Sequence, residues 1–252
     1  MHHKAIRLTV ALLALLVSSP AWAADKVVVT TLDWPPYTGA ALPKGGATTE
    51  VVRQVFDAIG VEVEVEILPW KRAISEAKNS EAAVAYFPGY HCRHVEGFVA
   101  SEPIGSGPLG FAEHVDNPIA WESVDDLGEQ KLKIGTVLGY ANTDEFDEKA
   151  GTGWIRAISA KDDLTNLKKL LRQRLDAVVI DKLVLSYLIA TEPALKGSGA
   201  ELRFNDKPLD EKTLFLCFTD NEAGNLLRAQ FNEGLKTVDV DQLLQAYFDN
   251  EF

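Results

Sequence analysis

Val27-Val-Val-Thr-Thr-Leu-Asp-Trp-Pro-Pro-Tyr37 runs from a β-branched apolar segment straight into an aromatic, proline-stiffened turn. Val and Thr fit the pleated, half-buried surface of a strand. Two consecutive prolines end it, because each fixes φ and donates no N–H. The pattern predicts a buried strand over 27–32 that hands Asp33, Trp34 and Tyr37 to a stiff loop at its carboxyl end. In open α/β sheets that end is where ligands bind. A strand followed by a packed aromatic turn accounts for the same residues equally well, and the local sequence does not choose between the two.

Upstream, Lys4 and Arg7 precede an apolar run over 8–17, too short for the ~20 residues of a membrane span. Ala21-Trp22-Ala23 is a small-x-small cleavage pattern. Residues 1–23 read as a secretion signal, with the mature chain starting at Ala24. No Cys stands at the cleavage site to carry a lipid anchor. A soluble periplasmic protein, acting as a monomer, is expected. The full chain of 252 residues carries a formal charge of −12, and losing Lys4 and Arg7 with the leader takes it to −14. Such acidity excludes nucleic acid as a partner, since that affinity rests on Lys and Arg neutralising phosphates. It leaves small ligands open, because a local site can differ from the average field. Two cysteines, Cys92 and Cys217, form a disulfide pair in an oxidising compartment, or Cys217 is a buried thiol in a strand.

Strand and helix patterns alternate along the chain, which is the signature of an α/β fold. A helix over 48–59 has Val51, Val52, Val55, Phe56 and Ile59 on one face, with Gly60 ending it. Strict Val/Glu alternation over 61–68 predicts a half-buried strand with a solvated glutamate face. Pro69-Trp70 opens a helix to about 78, and 82–87 is a strand broken by Pro88-Gly89. The polar, irregular 91–101 leads to Glu102-Pro-Ile-Gly-Ser-Gly-Pro108, the best candidate for a crossing between domains. Strands over 109–113, 132–137, 175–180, 202–205 and 213–219, a turn at 125–128, and helices over 143–150, 162–174, 183–191, 221–237 and 240–248 complete the pattern.

Three elements stand at strand ends: the Asp33–Tyr37 loop, Val137-Leu-Gly-Tyr-Ala-Asn-Thr143, and Asp181. Asn142 and Thr143 at a helix start can hold a carboxylate, or they are an N-cap, the more common use. Asp181 is a ligand carboxylate or a helix cap; Trp70 is a cleft wall or core. His91 and His94 are three apart with Cys92 between, a weakly zinc-like spacing that reads as a plain loop, and no metal is expected.

Together these segments resemble the bacterial extracellular solute-binding proteins of family 3. The likeness rests on VVVTTLDWPPYTG, LPWKRA (68–73), ASEPIG (100–105), LKIGTVLGY (132–140), LDAVVIDK (175–182) and the closing strand and helices. It implies a two-lobed α/β fold of the type II periplasmic binding class, hinged on two crossing strands. Lobe 1 would be 24–104 plus 206–252 and lobe 2 would be 105–205. It implies Tyr37 and Trp70 as aromatic walls, Asn142 and Thr143 on an anionic group, and Asp181 on an α-ammonium. The Arg that clamps an α-carboxylate in such proteins has no clear counterpart; Arg93 or His94 lies near its place. No cofactor is implied. The expected function is capture of a small polar solute, such as an amino acid, for the membrane subunits of an ABC importer. The alternatives are a sensory or orphan binder and a cyclohexadienyl-dehydratase-like enzyme. A wall of Trp34, Tyr37, Trp70, Tyr86, Phe87 and Tyr90 favours a guest with an apolar or cationic part.

Overall fold

A computed structural model describes residues 26–251; the expected leader over 1–23 lies outside them. In chain order the elements are β1 (Lys26–Thr31), α1 (Ala47–Ala58), β2 (Glu62–Ile67), α2 (Trp70–Asn79), β3 (Ala83–Gly89), β4 (Phe98–Ala100), β5 (Gly105–His114), α3 (Val124–Glu129), β6 (Lys133–Val137), α4 (Asp144–Gly151), β7 (Arg156–Ala160), α5 (Asp163–Leu171), β8 (Ala177–Asp181), α6 (Lys182–Thr191), β9 (Leu202–Phe204), β10 (Asp210–Thr219), α7 (Glu222–Leu235) and α8 (Val240–Glu251).

The sheet order is β2-β1-β3-β10-β5-β8-β6-β7, with β4 on β10 and β9 on β5. Two parallel sets stand at its ends: β2, β1 and β3 on one side, β8, β6 and β7 on the other. Antiparallel β10 joins them. Its Cys217 and Phe218 lie opposite Tyr86 and Ala85 of β3, while its Asp210 to Leu214 lie opposite Leu109 to Gly105 of β5. The long strands β5 and β10 therefore run together through the middle of the molecule. The carboxyl ends of β1 and β3 and those of β6 and β8 come to face one another across this seam.

Local sequence explains these elements. β8 is buried at every position, as the unbroken apolar run Ala177-Val-Val-Ile180 requires between two neighbours. Its partner face packs Phe111, Leu127, Ile134, Phe146 and Ile155 into one core. On the other side Val51, Val52, Val55 and Phe56 of α1 pack with Val29, Phe218 and Phe231. Gly60 after α1 has φ +73°, the left-handed conformation that only Gly adopts freely.

Four local expectations differ. β3 continues through Pro88 to Gly89, because the register against β10 shifts there and the missing Pro N–H costs no ladder bond. The turn expected at 125–128 is the short helix α3, closed by a capping box between Ser123 and Asp126. β5 begins at Gly105, so the Gly-Ser-Gly-Pro segment is itself strand, paired to β10. β4 and β7 are strands the apolar pattern did not reveal: each is short, and β7 alternates only weakly as Arg-Ala-Ile-Ser-Ala. Among the described residues no helix is long and apolar enough to cross a membrane.

Candidate functional site

Four strand ends converge here, and the segments after three of them, β1, β3 and β6, line the cavity. After β1 the chain turns through Trp34-Pro-Pro-Tyr37; after β3 it presents Tyr90 and His91; after β6 comes Gly139-Tyr140; and β8 ends in Asp181. Between them lies a cavity of about 290 Å³. Five aromatic rings line it, those of Trp34, Trp70, Tyr86, Tyr90 and Tyr140, with Leu32, Ile74 and Val95 as aliphatic patches and His91, His94 and Asp147 as polar groups. No Arg or Lys stands among the lining residues.

The rings hold one another in fixed attitudes. Trp34 stacks on Tyr37 at 4.5 Å and meets Tyr90 edge-on at 6.0 Å. Trp70 meets Tyr86 at 5.4 Å and, across the cleft, Tyr140 at 6.4 Å, both edge-on. Such edge-to-face pairs are the preferred aromatic geometry. The Trp70 indole N–H also donates to the Gly139 carbonyl, 3.0 Å away, so Trp70 links the two sides. Gly139 has φ +88°, and a Cβ there would fall 2.9 Å from the Lys71 stem.

The predicted site residues fall into two groups. Trp34 and Trp70 line the cavity. Tyr37 lies behind Trp34, fully buried, and donates its hydroxyl to both carboxylate oxygens of Asp181 at 3.1 and 3.2 Å. Asp181 is also buried and accepts from the Leu183 and Val184 amides, which makes it the N-cap of α6. Its acceptor sites face protein donors. Thr143 caps α4 by accepting from the Phe146 amide. The Asn142 amide and carboxamide both donate to Asp147, at 2.8 and 2.6 Å. Asp33 is exposed and accepts from the Ala40 amide, closing its own loop. Arg93 is exposed at the rim and pairs with Asp144 at 3.3 Å. Phe87 is fully buried and lies off the lining.

Burial sets the electrostatics. It pushes the Asp181 carboxyl up to about 6, against the two amides and the Tyr37 hydroxyl that hold it down. It raises the neighbouring Asp163 to about 7, helped by the charges of Asp162 and Asp181. The Tyr90 and Tyr140 hydroxyls are pushed up by burial first and by nearby carboxylates, Asp163 among them, second. Lys212, buried itself, sits 5.6 Å from the Tyr90 ring and is paired with Asp210 at 2.9 Å. The cavity is thus ringed by π faces, with Asp147 in its wall and acidic groups behind it.

Cys92 and Cys217 are bonded, with Cα atoms 5.3 Å apart. The bond ties the one-turn 3₁₀ helix Cys92–His94 to β10, and so fixes the loop that carries His91 and His94. The strand-end rule that found Trp34 also reaches Tyr140, two residues beyond Gly139's neighbour Leu138, yet its role as a wall emerges only when β6 is set opposite α2. Asp147 reads in sequence as a dipole-favoured helix residue, and its place in the cavity wall has no sequence signal.

No family model matches this chain, and no curated protein matches it. Solved structures do. The GluR0 ligand-binding core from Nostoc punctiforme, solved with L-glutamate, is 20% identical and superposes with a TM-score of 0.69 over 90% of this chain and 99% of that one. A histidine kinase sensor domain with similarity to periplasmic binding proteins gives 18% identity and a TM-score of 0.74, over 90% and 96%. An ancestral arginine-binding protein bound to arginine gives 16% and 0.69, over 90% and 98%. Two parallel strand sets joined by shared central strands, with a cavity where their carboxyl ends meet, therefore give this chain the α/β fold of the Venus-flytrap, periplasmic-binding-protein-like ligand-binding domains.

Proposed function

We propose that this protein binds a small solute, carrying a flat apolar or cationic part, in the cavity between two lobes formed by 24–104 plus 206–252 and by 105–205. One observation carries the reading: five aromatic rings and the Asp147 carboxylate line a cavity of about 290 Å³ that includes no Arg or Lys. Aromatic faces attract organic cations by cation–π contact, most strongly when desolvated. A zwitterionic amino acid needs a cation for its carboxylate and an acceptor for its ammonium. Here Arg93 is turned to Asp144 at the rim, and Asp181 is engaged by Tyr37 and two amides. The solved neighbours that hold glutamate and arginine support ligand capture in this fold. The ligand class is read from this chain's own walls.

In this reading the protein is a periplasmic solute receptor, and lobe closure over the ligand is what an ABC importer recognises. It is a binder, not an enzyme. The test is a thermal-shift panel of the twenty amino acids, polyamines, quaternary ammonium compounds, aromatic amines and small carboxylates. A compound present at ~100 times its Kd stabilises by ~2.7 kcal/mol. Organic cations and aromatic amines are expected to stabilise the protein. Stabilisation by simple amino acids or small carboxylates alone would overturn the assignment of ligand class.

A further inference from the structure

His91, His94 and Asp144 meet at the mouth of the cavity, their ligand atoms all within 4.8 Å of one another. Local folding brings the two histidines together. His91 precedes and His94 ends the single 3₁₀ turn Cys92–His94, closed by the His94 amide on the His91 carbonyl. Residues three apart eclipse in such a turn, and the two imidazole rings stand 5.1 Å apart. Cys92 is spent in the disulfide, which anchors this turn to β10. Asp144 comes from the opposite side of the cleft, as the first residue of α4.

From this geometry we infer a binding site for a divalent transition-metal ion, Zn²⁺ or a similar ion, held by His91, His94 and Asp144 and bridging the two sides of the cleft. Two imidazoles and one carboxylate are a borderline-soft donor set suited to Zn²⁺, Ni²⁺ or Co²⁺ rather than Mg²⁺ or Ca²⁺. In a tetrahedral site with bonds of ~2.0–2.1 Å, ligand atoms stand ~3.3 Å apart. The His94 Nε2 to Asp144 Oδ1 distance is 3.3 Å. The other Asp144 oxygen, Oδ2, faces the Arg93 guanidinium, also at 3.3 Å. That leaves Oδ1 for a single metal bond while Arg93 orients the carboxylate, as outer partners of ligating carboxylates do. Arg93 and the nearby Lys212 oppose a cation and limit its affinity, though Lys212 is offset by Asp210. Both histidines line the cavity, so a fourth, non-protein ligand reaches the ion from that side. The site does not depend on the proposed organic guest. A dipositive ion at the mouth would oppose a cationic guest, and by linkage the guest would weaken the ion equally.

The test uses tag-free protein beginning at Ala24, stripped with chelator and given the metal salt alone, so its outcome is separate from that of the solute panel. Titration calorimetry is expected to show one Zn²⁺ or Ni²⁺ per chain and no heat with Mg²⁺ or Ca²⁺. Co²⁺ should develop the intense visible absorption of a tetrahedral site. His91→Ala, His94→Ala and Asp144→Asn should each weaken Zn²⁺ at least about tenfold. Glu145→Gln, an exposed neighbour outside the ligand set, should leave it unchanged. The Co²⁺ spectrum of the unaltered protein stands independently of whether any variant folds. No binding of these ions, binding that survives loss of both histidines, or an equal loss in Glu145→Gln would overturn the site.

Discussion

Asp163 shows how single residues near the cavity set the balance between stability and charge. Its carboxyl is buried, and burial with the charges of Asp162 and Asp181 raises it to about 7. A carboxyl raised on folding binds its proton more tightly in the native state. Its favourable contribution is full below the unfolded value of about 4 and is lost as pH climbs through about 7. Asp181, raised to about 6, acts in the same direction over a slightly lower window. Stability should therefore fall between about pH 5 and about pH 8. Asp163→Asn should flatten the fall and leave the protein roughly 1–3 kcal/mol more stable than the parent at about pH 8. Urea unfolding at the two pH values measures this, and an unchanged slope would count against it. Once ionised, these same carboxylates near Tyr90 and Tyr140 would also favour a cation in the cavity.

At the scale of elements, the Cys92–Cys217 bond joins a loop to a central strand across 125 positions. Closing so long a loop stabilises by ~2–5 kcal/mol, chiefly by restricting the unfolded chain. Replacing both cysteines with Ser should lower unfolding free energy by that amount in denaturant titration, whereas an unchanged midpoint would show the bond to be absent in solution. Sequence made the pair visible but left a buried thiol equally open, because cysteine spacing carries no geometry. The same limit runs through the site. Periodicity and punctuation gave α1, β2, β8 and the loop that presents Trp34, since their signals are local. β7 escaped because a short, weakly alternating segment becomes a strand only by pairing with β6. Asp181 and Asn142 read in sequence as ligand groups or as caps; the Asp181 bond to α6 and the Asn142 bond to Asp147 are local, whereas the Tyr37 bond to Asp181 forms only after distant segments dock. Asp144 joins His91 and His94 for the same reason.

The whole molecule is two parallel strand sets read from their carboxyl ends, with β5 and β10 between them. Tyr37 on Asp181, Trp70 on Gly139, and Arg93 and His94 on Asp144 all cross the cleft. In the proposed reading these contacts hold the two sides together around the cavity, and a guest that touches both sides would favour that state. The proposed ligand class rests on the aromatic wall. Calorimetric titration of the best-binding panel compound into the parent, Trp70→Ala and Trp154→Ala measures it most directly. Trp154 is 52% exposed and lies outside the cavity. Loss of one desolvated π face, worth up to ~2 kcal/mol, predicts affinity weakened about tenfold or more in Trp70→Ala and unchanged in Trp154→Ala. Equal affinity in Trp70→Ala and the parent would contradict the account.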